Sequence, residues 1–282
     1  MIVRAPASTA NLGPGFDCAA AALDLWNELE VTEGEHAVVV EGAGASELPT
    51  GDDHLALRAF ALVAPVEGFS FRFTNHIPLE RGLGSSAATI AAGLVAACAL
   101  TGNEASADEL LELGLPLEGH ADNLAAALRG GVCLVWQNGA GPRAQRIATT
   151  LPLAPVVVVP TAGRVNTLAS RDRLPEQLSH DEAAAAAAQA ALLGAAIAAG
   201  DADLLANAFH DRLHEPYRLA DAPLLAALRE QPVTAQRGVT LSGSGPSVVV
   251  WSHDSGASYL SLRERFPDAD VWPLTIATEG AH

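Results

Sequence analysis

The chain has 282 residues and a formal net charge of −17, and every one of its 16 basic residues is an arginine. Without lysine it cannot form a Schiff base or a phosphate loop of the Walker type, whose lysine reaches the terminal phosphates. The acidic balance and the lack of a basic run argue against nucleic acid or an anionic membrane as partner. A nucleotide would therefore need a locally positive site.

The hydrophobic fraction of 49% is enough for a substantial core, and the length suits one large or two small domains at about 150 residues each. Cys18, Cys98 and Cys133 are odd in number and lack metal-ligand spacing, which favours buried, reduced thiols in the cytoplasm. The first residues lack the apolar core of a signal peptide. The alanine-rich run 183–199 contains Gln189, so we do not expect a membrane span.

Strand-like and helix-like patterns alternate in the first half of the chain. The predicted strands are 2–5, 25–32, 37–41, Phe69–Asn75 and Val132–Gln137. The predicted helices are 54–63, 86–100, 107–114 and 121–128.

The second half begins after two candidate boundaries, N-G-A-G-P at 138–142 and L-P-L-A-P at 151–155. The predicted strands are 156–159, 238–241, 247–251 and 270–274, and the predicted helices are 181–199, 201–214, 224–229 and 257–266. Mixed elements without strict βαβ alternation predict an α+β protein of two lobes, with domains at 1–150 and 151–282.

Residues 78–88 read P-L-E-R-G-L-G-S-S-A-A, with a predicted helix directly after the two serines. A helix start leaves backbone N–H groups unpaired and adds roughly half a positive charge. Glycine lets the backbone approach a ligand closely, so such a turn can hold phosphate without a basic side chain. The alternative is an ordinary loop in which Ser85 or Ser86 caps the helix.

Two further glycine-containing loops carry polar residues. Residues 6–17 read P-A-S-T-A-N-L-G-P-G-F-D, in which Asn11 and Asp17 could reach a small polar substrate. Residues 241–246 read L-S-G-S-G-P between two predicted strands, so the backbone there approaches either a neighbouring loop or a phosphate. Taken alone, each is also readable as a tight turn.

Other candidate residues follow the phosphate-type loop. In L-E-G-H-A-D-N, Glu118 is a suitable ligand for Mg²⁺, which bridges phosphates, or else a solvated loop residue. Arg171 and Arg218 could together clamp a carboxylate through their planar guanidinium groups, although surface solvation is the simpler reading of each alone.

In this order, the segments resemble the GHMP small-molecule kinases and, within them, the homoserine kinases. The three glycine motifs carry the family resemblance. E-G-H-A-D-N, T-L-A-S-R-D-R-L-P and H-E-P-Y-R carry the resemblance to the homoserine branch. The similarity spans roughly residues 3–250. It implies a GHMP-kinase fold, with an N-terminal lobe like ribosomal protein S5 and a ferredoxin-like C-terminal lobe.

The resemblance implies that ATP phosphorylates the side-chain hydroxyl of L-homoserine, in threonine biosynthesis. The implied ATP-binding residues are Pro78, Leu79, Glu80, Arg81, Gly82, Leu83, Gly84, Ser85, Ser86, Ala87, Ala88, Gly243, Ser244 and Gly245. The implied substrate-binding residues are Asn11, Asp17, His120, Asn123, Thr167, Arg171 and Arg218. Asp17 would take the amino group and the two arginines the carboxylate. Ser86 and Glu118 would bind Mg²⁺.

The implied catalytic residues are Asn11, Glu118 and Asn123. Several relatives use an aspartate base where this chain has Asn123, and an amide cannot accept a proton at neutral pH. Because phosphoryl transfer mainly needs alignment and charge stabilisation, we expect direct attack of the hydroxyl without an aspartate base. Asp122 is the alternative base, although adjacent residues usually face in different directions.

Some positions depart from the family pattern. His54 stands where an asparagine is expected near the nucleotide base, and the short Glu118–His120 spacing makes Glu112 an alternative metal ligand. A mevalonate-type or sugar-type kinase, or a non-catalytic ligand sensor on the same fold, are the competing readings. The sequence leaves a homodimer open.

Overall fold

The computed structural model describes residues 1–139, 141–164 and 170–282. The first half of the chain builds a mixed sheet of six strands with the order β3-β4-β2-β5-β6, and β1 pairs with β2 outside this path. Its strands are β1 (Ile2–Ala10), β2 (Ala19–Glu33), β3 (Ala37–Gly42), β4 (Phe69–Asn75), β5 (Val132–Gln137) and β6 (Pro142–Ala148). The long β2 contacts three partners, so it connects the two sides of this sheet.

Four helices pack with this sheet: α1 (Leu55–Phe60), α2 (Ser85–Thr101), α3 (Ala107–Glu118) and α4 (Ala121–Arg129). Alanine runs give α2 both high helix propensity and small side chains, so it can pack closely on all sides. Ser106 and Glu109 form a capping box at the start of α3. Phe60 packs edge-on against Phe71 in the core between the helices and the sheet.

The second half forms an antiparallel sheet with the order β10-β7-β9-β8. Its strands are β7 (Ala154–Pro160), β8 (Gln236–Leu241), β9 (Val248–Ser252) and β10 (Ala269–Pro273). Its helices are α5 (His180–Ala199), α6 (Ala202–Ala208), α7 (Glu215–Arg218), α8 (Pro223–Glu230) and α9 (Ser255–Arg265). The valine runs of β7 and β9 are buried, as expected for central strands.

The end of the chain returns to the first sheet. Gly131 donates its N–H to the Ala277 carbonyl, and His282 exchanges backbone hydrogen bonds with Arg4. Ile276 forms an isolated bridge with Leu23 of β2. The last residues therefore contact the first half of the chain, although they follow the second sheet.

Several elements differ from the predictions made from the sequence. β1 extends to Ala10 and β2 begins at Ala19, whereas strands were predicted at 2–5 and 25–32. Strand β6 begins at Pro142, and the sequence pattern did not predict it. The predicted helix 107–114 continues to Glu118. The predicted helix 201–214 ends at Ala208. The Asp211 carboxylate accepts the backbone N–H groups of Leu213, His214 and Glu215, which leads the chain into α7 instead.

Among the described residues, α5 is the one helix that is long and apolar enough to cross a membrane, by length and composition alone. Its apolar character comes mostly from alanine, and its first turn carries Asp181 and Glu182. A capping box of Ser179 and Glu182 begins the helix. That no membrane is involved stays a prediction from the sequence.

Two mid-helix glycines provide a matched test of the packing. A Cβ on Gly93 would lie 2.2 Å from the Ala56 carbonyl oxygen, whereas a Cβ on Gly194 would meet no described atom within 4 Å. We expect Gly93→Ala to lower the free energy of unfolding on the order of 1–3 kcal/mol through overpacking. Gly194→Ala should raise it by about 0.5–1 kcal/mol through helix propensity. Urea unfolding of both variants measures the difference, and equal effects would contradict the close packing of α1 on α2.

Candidate active site

One large cleft lies where the glycine loops of the two halves meet. Its volume is about 770 Å³, a size suited to a nucleotide with a small second molecule. The cleft is lined by most of the site residues expected from the sequence, namely Asn11, Asp17, Pro78, Leu79, Glu80, Arg81, Gly82, Leu83, Gly84, Ser85, Ser86, Glu118, His120, Asn123, Arg171, Arg218, Gly243, Ser244 and Gly245. The fold thus brings together residues that are far apart in the sequence.

The start of α2 has the chemistry of an anion site. Gly84 precedes the helix in the left-handed conformation, at φ 66°, and within the described chain no side chain caps the helix. The alternative of an ordinary serine cap is therefore wrong, because Ser85 and Ser86 lie inside the first turn. The first backbone N–H groups of α2 remain available to a ligand in the cleft.

The L-S-G-S-G-P turn packs directly on the loop that precedes α2. Ser242 donates its hydroxyl to the Gly82 carbonyl at 2.7 Å. A Cβ on Gly82 would lie 2.2 Å from the Ser242 carbonyl oxygen and 2.9 Å from that of Gly245, so only glycine fits there. Backbone therefore packs against backbone, and this contact sets the distance between the two glycine loops.

Asn123 lies in the first turn of α4, and its amide is oriented by a buried serine. The Ser8 hydroxyl donates to Asn123 Oδ1 at 2.8 Å. The amide oxygen is engaged by Ser8, whereas the Nδ2 group has no hydrogen-bond partner among the described residues. Asn123 can therefore donate a hydrogen bond into the cleft.

Asp122 lines the same cleft, which contradicts the expectation that adjacent residues face in different directions. Its carboxylate accepts the backbone N–H of Asn123 at 2.7 Å. Burial raises the pKa of Asp122 to about 6, although the helix N–H group favours the ionised form.

A cluster of charged and aromatic side chains occupies another wall of the cleft. Arg171 Nη2 lies 2.6 and 2.7 Å from the two carboxylate oxygens of Asp17. The guanidinium carbons of Arg171 and Arg218 lie 5.2 and 5.6 Å from the centroid of the Phe16 ring. Since like charges repel, the ring face and Asp17 together allow two cations to lie in one place.

Both arginines of this cluster retain a free donor. The Nε groups of Arg171 and Arg218 are buried and have no hydrogen-bond partner in the described part of the chain. Arg218 is only 3% exposed. Its pKa is lowered by burial and then by the nearby Arg171 charge, so this part of the cleft favours an anionic ligand.

Ser86 and Glu118 lie together in the cleft beside the start of α2. The Ser86 hydroxyl donates to Glu118 Oε1 at 2.9 Å. Burial raises the pKa of Glu118 to about 7, which a bound cation would reverse. Glu112, the alternative metal ligand, instead forms an ion pair with Arg143 and does not line the cleft.

Several expected residues have other positions or partners. Ala87 and Ala88 are fully buried inside α2 and do not line the cleft. The Asn11 amide is engaged at both ends by the glycine loops. Its Nδ2 donates to the Gly243 carbonyl, and its Oδ1 accepts the backbone N–H of Asp17. Thr167 lies outside the described residues.

Other residues of the site were not predicted from the sequence. Ser8 and Phe16 belong to the first glycine motif, and His214 belongs to H-E-P-Y-R, so the motifs carried the signal without a role for these side chains. Leu48, Pro49 and His54 also line the cleft. The His54 ring stacks on Phe73 with centroids 4.1 Å apart, and burial lowers its pKa to about 4.

Comparison with known proteins agrees with this geometry. The family described as "GHMP kinases N terminal domain" matches residues 53–131, which include the phosphate-type loop and the start of α4. A homoserine kinase of Clavibacter michiganensis is 40% identical over 268 residues, covering 90% of this chain and 83% of the relative. One of Streptomyces coelicolor is 41% identical and covers 98% and 96%.

The chain belongs to the homoserine kinase family. Among solved structures, the homoserine kinase from Cytophaga hutchinsonii matches with a TM-score of 0.85 and 26% identity, covering all of this chain and 96% of that one. The mevalonate kinase of L. major shares the fold with a TM-score of 0.73 at 18% identity, covering 97% of this chain and 95% of that one. The GHMP-kinase fold and kinase activity predicted from the motifs are therefore confirmed.

The left-handed glycine at the start of α2 allows the role of this helix start to be tested. A Cβ on Gly84 would lie 2.0 Å from Ser8 Oγ and 3.2 Å from Asn123 Oδ1, whereas Gly102, also at φ 66°, has no described atom within 4 Å of its Cβ. The two alanine variants share the backbone strain. We expect Gly84→Ala to lower kcat by about 100-fold, because ligand and catalytic groups are misplaced. Gly102→Ala should keep kcat within about twofold of the wild-type value. Equal losses in the two variants would contradict the assignment of the start of α2 to the active site.

Proposed function

We propose that the protein catalyses transfer of the γ-phosphate of ATP to the side-chain hydroxyl of L-homoserine, giving O-phospho-L-homoserine and ADP. We place this reaction in the cytoplasm and in threonine biosynthesis. The relatives at about 40% identity are homoserine kinases, which supports the acceptor. The unpaired state of Cys18, Cys98 and Cys133 suits a reducing compartment.

The two buried Nε groups of Arg171 and Arg218 are the observation that carries the choice of acceptor. A buried donor without a partner costs free energy, and a substrate carboxylate would satisfy both groups. Because guanidinium groups bind carboxylates through parallel hydrogen bonds, the pair also fixes the orientation of the substrate. A sugar offers no carboxylate, so it would leave the two buried guanidinium charges without an anionic partner.

Asp17 distinguishes an amino acid from mevalonate. Mevalonate carries a carboxylate but no ammonium group, so it could pair with the arginines but not with Asp17. Arg171 contacts Asp17 through Nη2 and can keep that contact while its Nε donates to a new partner. A zwitterionic substrate would then place its ammonium group at Asp17 and its carboxylate at the arginines.

ATP would lie between the start of α2 and the far end of the cleft. The unpaired N–H groups after Gly84 suit the phosphates without any lysine. Leu48, Pro49 and His54 provide apolar and aromatic surface for the base. His54 thus replaces the asparagine expected near the base, and its lowered pKa keeps the ring neutral beside it.

Ser86 and Glu118 are suitable ligands for Mg²⁺. Magnesium is held by one or two carboxylates together with substrate phosphates, rather than by a closed protein cage. The described residues contain no group of three or more His, Cys, Asp or Glu side chains that could hold a metal. When bound, the ion would neutralise charge that develops on the phosphates.

In the proposed step, the homoserine hydroxyl oxygen forms a bond to the γ-phosphorus while the bond to the ADP oxygen breaks. Asn123 donates from Nδ2 to orient the reacting oxygens, and Ser8 keeps the amide in this orientation. The start of α2 stabilises the developing negative charge. The proton leaves through the phosphate or solvent, since an amide cannot accept it.

Asp122 is the second candidate for a catalytic role, as a base. It lines the cleft, and a pKa of about 6 is close to the range that general bases need. Against this role, its Oδ1 atom is engaged by the backbone N–H of Asn123, and the side chain is only 3% exposed.

The two residues can be tested separately. We expect Asn123→Ala to lower kcat by about 100- to 1,000-fold, as for loss of one preorganised donor. Asp122→Asn keeps an oxygen for the Asn123 N–H and should retain kcat within about tenfold, because a base would contribute more. Steady-state kinetics and circular dichroism measure activity and folding. If a folded Asp122→Asn variant alone lost turnover, the proposed mechanism without a base would be wrong.

The acceptor is tested by coupled ADP release with four alcohols: homoserine, serine, mevalonate and galactose. We expect turnover with homoserine and a kcat/KM at least about 100-fold lower with mevalonate, which leaves Asp17 without an ammonium partner. Serine shares both charged groups but lacks one methylene, so its hydroxyl should not reach the phosphate. Clear turnover of mevalonate or galactose without turnover of homoserine would overturn the proposal. ATP binding without turnover of any alcohol would favour a ligand sensor.

A further inference from the structure

A buried histidine links the first glycine motif to Arg218. His214 is fully buried, and its Nε2 atom lies 2.9 Å from the Gly13 carbonyl oxygen. Its Nδ1 atom lies 3.0 Å from Arg218 Nη1. The ring also stacks on Phe16 with centroids 5.1 Å apart. No motif-based role was expected for this side chain.

The two partners of His214 determine its tautomer. A carbonyl oxygen can only accept a hydrogen bond, so Nε2 must carry the proton. A guanidinium group can only donate, so Nδ1 must present a lone pair to Arg218. The ring is therefore neutral, with the proton on Nε2, because an imidazolium would direct an N–H group at the N–H groups of Arg218.

The electrostatic surroundings agree with a neutral ring. Burial lowers the pKa of His214, and the Arg218 charge acts in the same direction. The Asp211 carboxylate lies 3.6 Å from Nε2 and opposes the shift. Asp211 also accepts the backbone N–H groups of Leu213, His214 and Glu215, which leaves its charge largely compensated.

Arg218 needs such a partner because few groups hold it. Its second contact is a longer one, 3.4 Å from Nη1 to the Gly243 carbonyl. Arg171 repels it across the Phe16 ring, and its Nε group has no partner among the described residues. Without the His214 acceptor, the guanidinium group would lose the hydrogen bond that fixes its plane.

We propose that His214 is a positioning residue whose neutral Nε2–H tautomer orients the Arg218 guanidinium group to receive the carboxylate of the substrate. This inference rests on the proposed function, since it assigns the carboxylate of homoserine to Arg218. His214 itself does not touch the substrate. Its effect should therefore appear in the KM for homoserine, while the KM for ATP and the chemical step are unaffected.

Two substitutions separate the acceptor from the ring. His214→Asn can place an amide oxygen near the position of Nδ1, whereas His214→Phe keeps an aromatic ring but removes both nitrogens. We expect His214→Phe to raise the KM for homoserine by about 10- to 100-fold, as for a lost hydrogen bond to a charged group. His214→Asn should retain most of the affinity. Equal KM values for the two variants, or a KM for ATP that rises as much, would overturn the proposal.

The tautomer can be measured in the wild-type protein, and the His214→Asn variant serves only to identify the signal. In nitrogen-15 NMR at pH 7, the imidazole signal that is lost in His214→Asn should be that of a neutral Nε2–H ring in the wild-type protein. An Nδ1–H tautomer or an imidazolium at this position would overturn the proposal.

Failure of the proposed function has a different signature. If Arg218→Gln raises the KM for homoserine but His214→Phe does not, the positioning role is wrong and the substrate assignment stands. If wild-type protein does not turn over homoserine, or Arg218→Gln leaves its KM unchanged, the substrate assignment itself is wrong.

Discussion

The close packing of Gly82 against the Ser242 and Gly245 carbonyls is the contact on which the rest of the site depends. It joins a loop of the first half of the chain to a turn of the second half without a side chain between them. The Ser242 hydroxyl donates to the Gly82 carbonyl and also forms a hydrogen bond with the Thr9 hydroxyl. Three glycine-containing segments therefore meet at one point. The anion-binding helix start and the arginine cluster are thereby held at a defined separation.

This arrangement explains how an acidic chain without lysine can bind a nucleotide. The net charge of −17 repels phosphate at long range, so binding must rely on local backbone dipoles. The uncapped start of α2 supplies them. The arginines near Phe16 lie elsewhere in the cleft, where their free donors suit a carboxylate rather than the phosphates. Under the proposed function, the cleft would therefore hold phosphates at backbone donors and a carboxylate at arginine donors.

The functional side chains are oriented by buried neighbours in a consistent way. Ser8 orients Asn123, Phe16 lies under both arginines, and His214 contacts Arg218. Asn123 keeps its Nδ2 group, and each arginine its Nε group, without a partner among the described residues. The neutral ring of His214 leaves the charge of Arg218 uncompensated, whereas Asp17 forms an ion pair with Arg171.

Local chemistry explains what the sequence alone determined. The glycine motifs, the start of α2 and most elements were predictable, because positive φ, helix capping and hydrophobic periodicity depend on neighbouring residues. β6 was not predicted because its hydrophobic alternation is weak. Tertiary structure alone decided the partners of Asn123, Asp17 and His214, which lie 115, 154 and 201 positions away from them in the sequence. Such contacts follow from how segments that are distant in the sequence pack together, and no local pattern encodes that packing.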